Sequence, residues 1–238
     1  MKISMTVLCP LALLSSAPVW AGTDAYVGGS VGLFSGGSTV ESQGDASLGI
    51  QKYGYQVGPG ARSALGNLFL GVGFMGNSWL YAGLEANAQI QSAKIRYFLY
   101  QTAFDQQDFE IKIQNSFGLH GRVGLFLMPR VLLYVKAGGS WGRFKATSVQ
   151  NVSGSGPVSK SKTGAGFSGG VGLEAFWGGQ KSDNTKEEGP KKECAHWTVG
   201  LEYMYSNYGS LNFTNVEAGN FKATVRSDAF MVRLRRTF

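Results

Sequence analysis

The sequence lacks the features of metalloproteins, disulfide-rich domains and helical membrane proteins. Of its 238 residues only 2 are cysteine and 2 are histidine, so it has no cluster of the ligands that a zinc site needs. Outside residues 1–21, no run approaches the roughly 18 apolar residues of a membrane helix. Charged residues make up 16% of the chain, against about a quarter in soluble domains. We therefore predict no metal, no cofactor and no membrane helix.

The chain also lacks the signals of nucleic-acid, nucleotide or catalytic proteins. Its net charge of +7 is not gathered into a basic run with interleaved aromatics, so no nucleic acid is expected as a partner. The G-x-G-x-x-G matches at 71–76 and 164–169 do not open a helix after a strand, which argues against nucleotide binding. Neither His120 nor His196 has a plausible exposed nucleophile beside it, so the sequence predicts no enzyme.

Residues 1–21, MKISMTVLCPLALLSSAPVWA, have the composition of a secretory signal peptide. Lys2 precedes a short apolar stretch, and Val19 and Ala21 form a V-x-A cleavage site before Gly22. The mature domain is thus predicted to span 22–238. Cys9 leaves with the signal, so Cys194 has no partner for an intramolecular disulfide.

The mature chain is rich in alternating segments and in glycine, 35 residues against 6 prolines. In each segment one face carries aliphatic and aromatic side chains, and the other carries Gly, Ser, Gln and charged residues. The eight segments are 24–35, 66–75, 79–93, 111–127, 131–146, 165–177, 196–210 and 223–238. A strand places alternate side chains on opposite faces. In the fourth segment, Ile111 and Ile113 are assigned to the apolar face.

The glycines distinguish a soluble sandwich from a membrane barrel. A sandwich could expose its polar face to water, but a solvated face does not need so many glycines. The crowded interior of a small closed barrel does, because eight strands leave a lumen just wide enough for side chains. The predicted fold is all-β, an eight-stranded antiparallel up-and-down transmembrane β-barrel with its apolar face toward lipid.

Charged residues on the inward face occur at similar depths in their strands. The three acidic residues are Glu85, Glu174 and Glu202, and the four basic residues are Arg122, Lys136, Arg233 and Arg235. Paired buried charges can break even, whereas buried charges of one sign are very costly. We predict that the seven form one layer that plugs the barrel.

Tryptophans mark the expected edges of the membrane band. Trp79, Trp141, Trp177 and Trp197 all fall near predicted strand ends, and aromatic pairs within strands lie 8 or 10 residues apart. A tilted strand crosses the bilayer core in about 9–11 residues, with aromatics at both rims. Trp79 is the exception, since its parity places it inward.

Three stretches resemble the last strands of the eight-stranded outer-membrane barrel family, which includes the barrel of outer membrane protein A and opacity-type surface antigens. They are GFSGGVGLEAFW (166–177), WTVGLEYMYSNYGSL (197–211) and FMVRLRRTF (230–238). The resemblance implies a bacterial outer-membrane location and insertion by the outer-membrane assembly machinery, which reads a C-terminal aromatic after alternating apolar residues. The matching positions here are Phe230, Val232, Leu234 and Phe238.

Two positions depart from the family pattern. Arg236 stands where the family often has tyrosine, and the segment 178–195 is long and charged where a short periplasmic turn is expected. That segment contains Cys194. A solvated insert is favoured over a contact for a periplasmic partner.

Four distal loops are predicted, at 36–65, 94–110, 147–164 and 211–222. The apolar stretch IRYFLYQTAF (95–104) is either a strand extension or an adhesive patch. Lys145, Lys160 and Lys162 make the third loop basic, suited to lipopolysaccharide phosphates or acidic host glycans, although a solvated loop is the more common role.

The sequence as a whole favours a non-enzymatic envelope protein or surface antigen with loops used in adhesion or host interaction. Its expected surroundings are outer-membrane lipid and lipopolysaccharide. A narrow, porin-like channel is the alternative, and a lipid-modifying enzyme is less favoured because no site for it is evident.

Overall fold

The computed structural model describes residues 23–43, 54–56, 60–77, 79–102, 105–148, 159–177, 196–216 and 219–238. These residues form eight long strands and one short strand. The bounds are β1 Thr23–Gln43, β2 Gly54–Gln56, β3 Ala61–Asn77, β4 Leu80–Thr102, β5 Asp105–Met128, β6 Val131–Ser148, β7 Ser159–Trp177, β8 His196–Val216 and β9 Gly219–Thr237. No helix in this part of the chain is long and apolar enough to cross a membrane.

The eight long strands close into an antiparallel barrel. Each pairs with its sequence neighbours, and β1 pairs with β9 from Tyr26–Thr237 to Gln43–Asn220, which closes the sheet. The short strand β2 adds only to the upper part of β1, at Thr39–Glu41. The predicted eight-stranded up-and-down barrel is therefore confirmed. Closure pairs the edge strands that an open sheet would leave without partners.

Alternation in the sequence becomes an outward apolar wall and an inward polar wall. Leu33 and Ile90 are 72% and 70% exposed on the outside, whereas Glu85 and Arg122 are 0% and 1% exposed inside. This arrangement inverts a soluble protein, and it is stable when the outer wall faces lipid. We call the end that carries Thr23, Phe238 and the turn at 129–130 the near end, and the other the distal end.

The strands are much longer than a membrane requires. The eight long strands contain 17 to 24 residues, against about 9–11 for crossing the apolar core. The predicted distal loops were therefore too long: β4 and β5 occupy most of 94–110, and β8 and β9 occupy most of 211–222. The stretch 95–102 belongs to β4, in agreement with a strand extension, and 103–104 lie outside the described residues.

Two bulges reverse the inside–outside parity near the distal end. Pairing of β5 with β6 shifts between Ile113 and Ser116, and pairing of β8 with β9 shifts between Asn207 and Ser210. The second bulge contains Gly209, whose φ of 67° suits glycine. The outward assignment of Ile111 and Ile113 was wrong: they are 1% and 0% exposed, because the extra residue in β5 turns them inward.

Candidate functional site

The seven charged residues predicted to lie inside the barrel meet in one buried network. Glu85, on β4, is at its centre. Its carboxylate accepts hydrogen bonds from Arg122 at 3.0 Å, Lys136 at 3.0 Å and Arg233 at 2.6 Å. All four side chains are at most 1% exposed. One carboxylate thus contacts three cations that come from three different strands.

The other two glutamates complete the network. Glu174 lies 2.9 Å from both Arg122 and Arg235, and Glu202 lies 2.8 Å from Lys136 and also pairs with Arg233. Each of the seven charges therefore has at least one partner of opposite charge within ion-pair distance. Charges buried in this way are tolerated because each has partners at ion-pair distance.

Glycines on neighbouring strands make room for the charged side chains. Glu85 pairs in register with Gly71, Lys136 with Gly170, Glu202 with Gly172 and Arg233 with Gly200. A side chain at Gly200 would lie 2.7 Å from the Cγ atom of Glu174. The glycine-rich inward face is therefore a requirement of the charge network.

Three aromatic side chains, Tyr26, Phe69 and Tyr134, pack against the network, and we call them the aromatic collar. The sequence analysis did not identify it. The guanidinium of Arg122 stacks 3.8 Å from the ring centroid of Tyr134, and that of Arg233 stacks 3.8 Å from Phe69. Tyr134 also donates a hydrogen bond to Glu202 at 2.6 Å, and Tyr26 donates one to Glu85 at 3.3 Å. The sequence pattern could have revealed these aromatics, since each has the same parity as the inward-facing residues of its strand.

Gly172 shows how closely the collar is packed. A Cβ atom at this position would overlap the Tyr134 ring. The ring therefore occupies the space over Gly172 that any other residue would fill. The inward glycines accommodate aromatic rings as well as charged side chains.

Above the charge network the distal interior is filled by apolar side chains. This cluster draws residues from seven of the eight long strands, all except β7, and we call it the apolar cluster. Its members are Phe34, Val40, Ala61, Leu65, Ala93, Ile95, Ile111, Ile113, Phe144, Ala146, Met204, Tyr208, Leu211, Phe213, Ala223, Val225, Ala229 and Met231. Within it, the rings of Phe144 and Tyr208 meet edge to face, with their centroids 5.1 Å apart. The predicted polar interior therefore covers only part of the height of the barrel.

A histidine and a serine come together in the lumen. His120 Nε2 lies 2.6 Å from the Oγ atom of Ser168, but both residues are 1% exposed. The barrel wall therefore encloses both side chains. The second histidine, His196, stacks on Phe176 at 5.2 Å. In the described ranges, no group of three or more His, Cys, Asp or Glu residues is arranged to hold a metal ion.

Aromatic side chains form two bands on the outer wall. The near band contains Phe74, Trp79, Trp177, Trp197 and Phe238, and the distal band contains Phe117, Trp141, Phe167, Tyr203 and Phe230. The inward assignment of Trp79 was wrong: it is 55% exposed, because it lies in the turn before β4 where strand parity does not apply.

The four positions of the C-terminal pattern all face outward. Phe230, Val232, Leu234 and Phe238 are 51%, 47%, 48% and 57% exposed. Arg236 lies between the rings of Trp197 and Phe238, at 5.6 and 5.3 Å. Its cation stacks where the family often has an aromatic ring. Recognition of this pattern by assembly machinery remains a prediction.

The three lysines predicted to form one basic loop lie on strands and on two different faces. Lys145 lies between the buried residues Phe144 and Ala146 of β6 and therefore points outward. Lys162 and Lys160 of β7 pair in register with Phe144 and Ala146, which places them on the inward face at the distal rim. The segment 178–195 with Cys194 lies outside the described residues.

Comparisons with known proteins agree with this architecture. The profile of a family described as outer membrane protein beta-barrel domain matches residues 7–226. No curated protein gives a significant match.

Solved structures with similar folds have low sequence identity. The chain is similar to Ail, the attachment invasion locus protein of Yersinia pestis, with 15% identity, coverage of 90% of this chain and 99% of Ail, and a TM-score of 0.39. Neisserial surface protein A has 16% identity, with coverage of 90% of this chain and 97% of its own, and a TM-score of 0.44. The outer membrane protease OmpT from Escherichia coli has 10% identity, with coverage of 94% of this chain and 99% of its own, and a TM-score of 0.40. These likenesses concern the fold.

Proposed function

The chain belongs to the outer membrane protein beta-barrel family and lies in the bacterial outer membrane, and on that premise we propose that it is a non-enzymatic surface protein with a sealed lumen. In this proposal the outer wall and the distal end carry the function, in envelope structure and in contact with host surface molecules. The observation that carries it is the double filling of the interior. The ion-paired network around Glu85 closes one level, and the apolar cluster closes the next.

The burial of the reactive side chains supports a non-enzymatic role. The His120–Ser168 pair is enclosed by the barrel wall, and the carboxylates of Glu85, Glu174 and Glu202 are engaged by cations. A catalytic acid or base must come within hydrogen-bond reach of a substrate.

The height of the barrel supports a role at the cell surface. On β4, the described strand continues to Thr102, 12 residues beyond Ile90, which is the last strongly exposed aliphatic residue among the side chains that the structure describes. At about 3.3 Å per residue, this extension is long enough to raise the distal rim above the headgroups. Contact with host molecules is tested by measuring adhesion of cells that display the protein. Adhesion equal to that of cells without it would leave only the role in envelope structure.

Planar-bilayer recording tests the sealed lumen. We expect no steady current from the wild-type protein, because ion passage would require buried pairs to separate at a cost of a few kcal/mol each. Glu202→Ala removes a partner of Lys136 and Arg233, and should raise the frequency of brief openings. A large, continuous wild-type current that Glu202→Ala leaves unchanged would replace the proposal with a channel.

One observation favours the narrow channel as a second candidate. Both amide atoms of Gln91, and the Nε2 atom of Gln89, are buried without a hydrogen-bond partner among the described residues. Buried amides of this kind usually bind water. Water between the charge network and the apolar cluster would provide part of a conducting path, and the same recordings decide between the two functions.

A further inference from the structure

A row of lysines crosses three adjacent strands on the outer wall. Lys94 of β4 pairs in register with Lys112 of β5, and Lys112 pairs with Lys145 of β6. Each lysine lies between two buried residues of its strand, so all three point outward. Arg96 lies two residues from Lys94 toward the distal end, and Arg143 lies two residues from Lys145 toward the near end. We call these five residues the basic ridge.

The basic ridge is incompletely neutralised. Like charges directly opposite each other in a sheet are destabilising, and cross-strand Cβ atoms lie only about 5 Å apart. The carboxylate of Glu110 lies 3.1 Å from Lys94 and 3.6 Å from Arg96. Within the described ranges, Lys112 and Lys145 have no acidic partner. Five cations with one carboxylate form a surface suited to a multiply charged anion.

The height of the basic ridge indicates which anion it meets. On the same three strands, the outermost apolar residues below it are Ile90, Phe117 and Trp141, which are 70%, 58% and 45% exposed. Lys94 and Lys145 lie four residues beyond Ile90 and Trp141. With about 3.3 Å per residue and a strand tilt of about 40°, the lysines are about 10 Å above the apolar band. That is the level of lipid headgroups.

We propose that the basic ridge binds the phosphate groups of glycolipids in the outer leaflet of the same membrane. The ridge lies on the outer wall directly above the lipid-facing band, so the anions beside it are the headgroups of membrane lipids. Ammonium groups and arginines form charge-assisted hydrogen bonds with phosphate oxygens. Bound phosphates would also relieve the repulsion among Lys94, Lys112 and Lys145. The inference goes beyond the proposed surface function and holds whether or not the lumen conducts.

Binding of a fluorescent diphosphoryl lipid A to the full-length protein in uncharged detergent tests this inference. The ridge variant carries Lys94→Gln, Lys112→Gln and Lys145→Gln. A charge-matched control carries Lys160→Gln, Lys162→Gln and Lys222→Gln, which lie on the distal rim and on β9. We expect the ridge variant to bind about a hundredfold more weakly, because three lysines are lost at a phosphate surface, and the control to bind like wild type. Dephosphorylated lipid A should bind every protein weakly.

Several outcomes would overturn the inference. Equal losses in the ridge variant and the control would assign binding to net charge. Equal binding of phosphorylated and dephosphorylated lipid would assign it to acyl chains. A ridge-dependent affinity for a sulfated oligosaccharide, without one for lipid A, would assign the ridge to a soluble polyanion. If the triple variant does not fold, as judged by gel mobility before and after boiling, Lys112→Gln should weaken binding and Lys112→Arg should retain it.

Discussion

The substitution Glu85→Gln provides the sharpest test of how the interior is stabilised. Glu85 contacts Arg122, Lys136 and Arg233, and it is fully buried. Glutamine keeps the size of the side chain, so the substitution removes charge without creating a cavity. The network would then contain two carboxylates and four cations, whereas the wild-type network contains three carboxylates and four cations.

The size of the effect follows from the burial of the partners. Removing one member of a buried ion pair costs about 3–5 kcal/mol, because the remaining charge is left uncompensated in a medium of low dielectric constant. Three cations lose a partner here, although each of the three keeps a second carboxylate in Glu174 or Glu202. We therefore expect a loss of about 3–5 kcal/mol in the free energy of unfolding.

Urea unfolding in lipid vesicles, followed by tryptophan fluorescence, measures this loss. With a slope of about 2 kcal/mol per molar urea, the midpoint should fall by about 2 M. Glu110→Gln is the control, since its partners Lys94 and Arg96 are 51% and 73% exposed. Exposed pairs contribute about 0–1 kcal/mol. Equal midpoints for wild type and Glu85→Gln would refute the conclusion that the ion pairs hold the barrel interior together.

Two further predictions concern assembly and packing. Deletion of Phe238 should lower the amount of protein inserted in the outer membrane, while Arg236→Tyr should be tolerated; normal surface levels after the deletion, measured by surface labelling, would contradict the proposed assembly signal. Gly172→Ala should lower the free energy of unfolding by about 1–3 kcal/mol, because the new methyl group displaces the Tyr134 ring. Gly66→Ala, whose Cβ meets no atom within 4 Å, is its control, and equal urea midpoints for the two variants would argue against a tightly packed collar.

The sequence by itself determined the architecture and most of the interior, because strand alternation is a local property. A period of two assigns each side chain to a face once the strand is recognised. The outward positions of Leu33 and Ile90 and the inward positions of Glu85 and Arg233 follow from that rule. The similar depths of the charged residues were enough to predict that they meet, since opposite charges inside a narrow barrel have few other partners.

Tertiary structure alone decided what depends on pairing between strands. The bulge between Ile113 and Ser116 reverses parity in β5, and the isolated pattern of β5 does not contain it. Only the register brings Lys94, Lys112 and Lys145 into one row, although Lys145 and Lys160 are nearer in sequence. Alternation is set by the geometry of one strand, whereas bulges and register depend on how neighbouring strands align when the barrel closes. That alignment is a property of the whole sheet.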